Sequence, residues 1–104
     1  MKVIKVDSDN FEKEVLKSDV PVIADFNADW CGPCRMLGPV LEQVAAENES
    51  IKVVSINVDD NEDIAFEYGI ASIPCLIVFN NGEEVRRNVG LVGKEQVLAL
   101  VGGV

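Results

Sequence analysis

Apolar residues along this chain fall into short strand-like runs separated by stretches with helical spacing. Val22-Ile23-Ala24-Asp25-Phe26 and Leu76-Ile77-Val78-Phe79 are nearly continuous apolar runs, as expected of strands covered on both faces. Ile51 to Val58 is rich in β-branched residues and Val3-Ile4-Lys5-Val6 is a shorter run of the same kind. Pro21 opens the second strand, where its missing N–H does least harm. Between these strands, Phe11, Val15 and Leu16 share one helical face up to about Lys17, with Asp9 and Glu12 at capping-box spacing. Met36, Leu37, Val40, Leu41, Val44 and Ala45 form the inward stripe of a longer helix ending near Asn48, and Pro39 should kink it. Glu62 to Tyr68 predicts a short helix stopped by Gly69. Asn80-Asn81-Gly82 is a hairpin signal, because a type I′ turn needs positive φ at both central residues. Val85 to Val89 therefore returns antiparallel. A last helix over about Lys94 to Val101 turns Val97, Leu98, Leu100 and Val101 inward.

The resulting order is β-α-β-α-β-α-β-β-α. Helical crossovers make the first three strands parallel and the hairpin makes the last pair antiparallel, which gives an α/β sandwich on a mixed central sheet. A length of 104 residues implies one domain with a core that needs no staples. The net charge of −9 disfavours nucleic acid and anionic membranes as partners. Met1 to Asp7 acquires charge too early for a signal peptide, and no run approaches the ~20 apolar residues of a membrane span, so a cytoplasmic protein is expected. Three cysteines do not make a secreted framework, so any disulfide should cycle rather than hold the fold.

Trp30-Cys31-Gly32-Pro33-Cys34 directly follows the first buried strand and opens the long helix. Unpaired N–H groups and partial positive charge at a helix start favour thiolate over thiol. Cys31 is thus the candidate nucleophile, next to a glycine that leaves room for substrate. Cys34, inside the first turn, should be more shielded and act as the resolving thiol. Pro33 suits the first turn and stiffens the loop between them. Half of a zinc site is the competing reading, but there is no histidine and only Cys75 remains as a further thiol. Asp25 interrupts a strand buried on both faces, where its pKa should rise and it could take a proton from Cys34; an edge or salt-bridged structural aspartate is the alternative. Ile73-Pro74 precedes another buried strand. Most X–Pro bonds are trans, yet a tight strand entry beside a site is where a cis bond is tolerated.

Asp25-Phe26, Trp30 to Cys34, Pro39, Ile73-Pro74, Phe79-x-Asn81-Gly82 and Val89-Gly90 resemble the thioredoxin family in order and spacing, over essentially the whole chain. Thioredoxins are themselves a standard example of a lowered Cys-x-x-Cys thiol pKa. The resemblance implies the thioredoxin fold, a three-layer α/β/α sandwich with a mixed five-stranded central sheet. It implies a dithiol–disulfide reductase of protein substrates, with a redox-active Cys31–Cys34 disulfide recharged by a thioredoxin reductase and with no cofactor of its own. Cys31 would attack, Cys34 would resolve with help from Asp25, and Pro74 would be cis. Trp30, Gly32, Pro33, Ile73, Pro74, Val89, Gly90 and Leu91 would form the substrate groove of a monomer.

Three positions depart from the family pattern. Asn27 stands where a tryptophan is usual, Ser55 where a lysine often lies near the buried aspartate, and Cys75 where a threonine is usual. Loss of the lysine should let Asp25 titrate higher. Cys75 is either a small buried apolar residue or a third redox-sensitive thiol. Two other functions compete with the reductase: a disulfide oxidase or isomerase, and an interaction module that uses the apolar groove regardless of redox state.

Overall fold

In the computed structural model, which describes Met1–Val104, the strands are β1 (Ile4–Lys5), β2 (Val22–Asn27), β3 (Lys52–Asn57), β4 (Cys75–Asn80) and β5 (Glu83–Val89). The helices are α1 (Gly32–Glu47), α2 (Glu62–Glu67) and α3 (Lys94–Leu100). One sheet in the order β1-β3-β2-β4-β5 contains all five strands. β1, β3 and β2 are parallel, whereas β4 runs antiparallel to both β2 and β5. The most apolar strands, β2 and β4, thus lie inside the sheet. The edges go to the two-residue β1 and to β5, whose charged Glu83, Glu84, Arg86 and Arg87 discourage further pairing.

Alternation along the strands sorts the core into two halves. Val22, Ala24 and Phe26 join Cys75, Ile77 and Phe79 on one face, where Phe11, Val15 and Ile64 cover them. Phe11 and Phe79 meet edge to face there, as do Tyr68 and Phe79. On the other face, Ile23, Val53, Leu76 and Val78 pack against Leu37, Leu41, Val44 and Ala45 of α1 and Val97 of α3. The three-layer arrangement follows directly from strands that are apolar on both sides.

Three local expectations are corrected. Met36 is 64% exposed, because the inward stripe of α1 runs Cys34, Leu37, Leu41, Val44, Ala45, and Met36 lies one residue off it. The first helical segment is a single wide turn, Glu12–Leu16, in which the Lys17 N–H donates to the carbonyl of Glu12, five residues back. Its entrance is not an Asp9–Glu12 capping box. Asp7 Oδ1 instead accepts from the Asp9 and Asn10 N–H groups, while Ser8 is drawn away to bond Asn61 and Asp63.

The hairpin between β4 and β5 has φ of 54° at Asn81 and 82° at Gly82, the pair of positive angles that the Asn-Gly sequence predicts. A Cβ added at Gly82 would also come within 3.0 Å of the Leu16 carbonyl oxygen. Gly82→Ala should therefore lower stability by about 1–3 kcal/mol in urea unfolding, more than the left-handed conformation alone would cost.

Candidate functional site

The polypeptide leaves β2 at Asn27 and enters α1 at Gly32, so the intervening loop sits where a parallel strand meets a helix N-terminus. Cys31 is the N-cap residue of α1, and the Cys34 N–H donates to its Sγ at 3.2 Å. This bond favours negative charge on that sulfur once the pair is reduced. The two cysteines are joined as a disulfide, with Cα atoms 5.2 Å apart. Their shielding does not differ as expected: Cys31 is 4% and Cys34 6% exposed. The bonded pair packs as a unit with Ala28, Val58 and Ile73, and Cys31 Sγ lies 3.9 Å from the Ile73 carbonyl oxygen. Pro33 is exposed in the first turn of α1, and a Cβ at Gly32 would meet only the flexible Arg35 guanidinium, at 4.0 Å.

The entry to β4, next to β2 in the sheet, brings Ile73 against this loop. Ile73–Pro74 is a cis peptide, and the Pro74 carbonyl accepts a 2.8 Å bond from the Gly90 N–H. That bond ties the end of β5 to the entry of β4. Gly90 has φ of 104°, so its backbone conformation itself selects glycine. Trp30, Val89 and Leu91 are exposed, Ile73 is half-buried and Pro74 is buried. The Trp30 indole Nε1–H donates to Asp59 Oδ2 at 2.9 Å, which fixes the ring against the loop after β3. No local sequence signal marks Asp59 as that partner, since the contact spans 29 residues.

Asp25 is 5% exposed and is not an edge residue: it pairs with Ser55 on one side and Leu76 on the other. It has no cationic partner. Asn27 Nδ2–H donates to its Oδ2 at 3.2 Å, while Oδ1 has no hydrogen-bond partner in the protein. Burial pushes the carboxyl up to about 7, and the Asn27 bond opposes that rise. Asn27 thus replaces an aromatic with an amide that touches the carboxyl, a contact that its reading as a lost tryptophan missed.

Cys75 adjoins Val89 and Phe26 and belongs to the core half opposite α1. It is 1% exposed, and burial raises its thiol pKa. The placement fits a packing residue. Cys75→Ser should cost about 1–3 kcal/mol in unfolding experiments, because a hydroxyl enters an apolar core, while redox cycling stays unchanged.

The raised Asp25 pKa has a consequence for stability. The unfolded carboxyl titrates near 4, so protonated Asp25 favours the fold fully below about pH 4, and that contribution is lost as pH rises through about 7. Asp25→Asn should thus be more stable than wild type at pH 8.5, by up to about 4 kcal/mol, with the advantage gone near pH 4. Urea unfolding at the two pH values measures the difference.

Comparison with known proteins agrees with this architecture. The family model described as Thioredoxin matches residues 2–102. A thioredoxin of Porphyra purpurea is 54% identical over 95 residues, covering 90% of this chain and 89% of that protein. Thioredoxin 1 of a Nostoc species is 50% identical over 91 residues, with 86% and 85% covered. A thioredoxin of Rickettsia bellii is 49% identical over 90 residues, with 86% of each chain covered. With a Cys-x-x-Cys pair bonded at the start of α1, the chain belongs to the thioredoxin family of dithiol–disulfide oxidoreductases, which act on disulfide-containing targets.

Proposed function

We propose that the protein is a reductase of protein disulfides in which Cys31 attacks, Cys34 resolves and Asp25 accepts the proton of Cys34. The observation that carries this assignment is Cys31 Sγ at the N-cap of α1, accepting the Cys34 N–H. The Cys31 thiolate attacks one sulfur of a target disulfide, the target S–S bond breaks, and one target thiolate leaves. A mixed disulfide now joins Cys31 to the target. Cys34 gives its proton to Asp25 and attacks Cys31 Sγ, so the Cys31–Cys34 bond forms and the second target thiolate leaves. The target gains two electrons and the pair loses two, which a thioredoxin reductase would return.

Trp30, Gly32, Pro33, Ile73, Pro74, Val89, Gly90 and Leu91 would form the apolar groove that seats the target chain beside Cys31. Exposed Trp30, Val89 and Leu91 give it contact area, and the open space at Gly90 lets another backbone approach. A single thioredoxin domain over residues 1–104, acting as a monomer in the cytoplasm, fits a carrier that must present this groove to many partners. No helix is long and apolar enough to cross a membrane.

Two measurements test the reading. Titrated against a defined thiol buffer, the Cys31–Cys34 pair should show a potential clearly below the glutathione poise; a value well above it would make the protein a disulfide donor. Cys34→Ser should accumulate a mixed disulfide with a reducible target through Cys31, whereas Cys31→Ser should not. Equal trapping by both variants would remove the assignment of roles.

A further inference from the structure

One rung of the sheet reads Lys5, Ser55, Asp25, Leu76, Asn88 from edge to edge. The strand neighbour of Asp25 on the β3 side is therefore a hydroxyl. The cation on that rung, Lys5, stands two strand spacings away, roughly 10 Å. The cavity under α1 that Asp25 lines, of about 240 Å³, is also lined by Lys5, Glu42 and Ser55. Lys5 from β1 and Glu42 from α1 are thus the charged groups facing the carboxyl on its own side of the sheet. Neither is hydrogen-bonded to it. From the opposite face, Cys75 is the ionisable group coupled to Asp25, and Arg87 and Glu84 act on that thiol.

Asn27 fills the gap. It follows Asp25 by two residues on β2, so both side chains project from the same face. Its Nδ2 lies 3.0 Å from the Asp25 backbone carbonyl, 3.2 Å from Asp25 Oδ2 and 2.8 Å from Ser55 Oγ. A backbone carbonyl can only accept, so the amide must keep its nitrogen inward. Asn27 is then a donor to the ionised carboxyl and cannot turn its oxygen inward to accept from the protonated form without leaving that carbonyl opposed by an oxygen. Beyond the strand end, Asn27 also lines the crevice that contains Cys34. A polar cleft of about 590 Å³, walled by Asn27, Ser55, Asn57 and the loops after β1 and β3, brings solvent to the Asn27–Ser55 pair.

We propose that Asn27 is the positioning residue for Asp25: its amide gives one N–H to Ser55 Oγ and shares the other between the Asp25 carbonyl and Oδ2, which holds the carboxylate in place and governs the proton transfer that frees Cys34. The inference rests on the reading of Asp25 as the proton acceptor. It gives this chain a neutral, one-directional donor beside a carboxyl whose strand neighbour is Ser55 in place of the family's frequent lysine.

The test uses Asn27→Leu and Asn27→Met, which remove the donor yet keep water from the carboxyl, with folding checked by circular dichroism. Carbon-13 NMR of the Asp25 carboxyl in the oxidised protein should show its titration midpoint raised by about one pH unit in both variants. In wild type, the Asn27 Nδ2 proton resonances should move with the same midpoint as the carboxyl. The pH midpoint of single-turnover target reduction should rise in step, slowing the reaction up to about tenfold at neutral pH. Placed in an Asp25→Asn background, Asn27→Leu should leave the pH profile unmoved. A carboxyl midpoint that stays or falls in the folded variants, or Asn27 resonances blind to the Asp25 titration, overturns the proposal. A carboxyl midpoint that rises while the kinetic midpoint stays overturns instead the role of Asp25 as acceptor, and with it the kinetic half of the proposal.

Discussion

Strand β2 has neither a free edge nor a free face. β3 and β4 take both of its hydrogen-bonding sides, and the two halves of the core cover its surfaces. Everything at the site descends from that confinement. The strand can end in only one direction, so the loop carrying Trp30 and Cys31 is delivered to the start of α1 in a fixed orientation. A polar group inside the strand must find its partners within the protein or go without. Asp25 does a little of each, with one oxygen bonded and the other unpartnered.

The confinement sets stability against chemistry. A charge at this position is costly because burial removes its water, and no cation stands beside it to compensate. A leucine or valine would extend the α1-side core without interruption. What the carboxyl gains from burial is a pKa of about 7, where a group can both take and release a proton under ordinary conditions. Destabilisation concentrated at the proposed proton acceptor, surrounded by a well-packed core, is the usual division of labour in a small enzyme-like domain.

The dithiol pair depends on a second convergence, between elements distant in the chain. α1 brings the two sulfurs together within one turn, and this much is local. The cis Ile73–Pro74 segment, the bend at Gly90 and Asp59, which holds the Trp30 indole, come from three other parts of the sequence. They meet because β3 and β4 flank β2 and β5 lies beside β4. The sheet order is thus as much a part of the site as the cysteines are.

Local patterns fixed a good deal in advance. Apolar runs and helical spacing identify every strand and helix, Asn81-Gly82 specifies its turn, and Cys31 to Cys34 announces the chemistry, because each of these signals is carried by residues that are neighbours in sequence. Period-2 alternation also requires Cys75 to oppose Leu76. Which face α1 would cover, and hence that Cys75 lies in the core half opposite α1, follows only from the assembled sheet. So do the Asn27–Asp25–Ser55 contacts, the Trp30–Asp59 bond, the exposure of Met36 and the burial of both cysteines. Partners across strands are set by pairing order and register between segments tens of residues apart. Those depend on how all the apolar faces are buried at once, a condition that no local stretch of the chain contains.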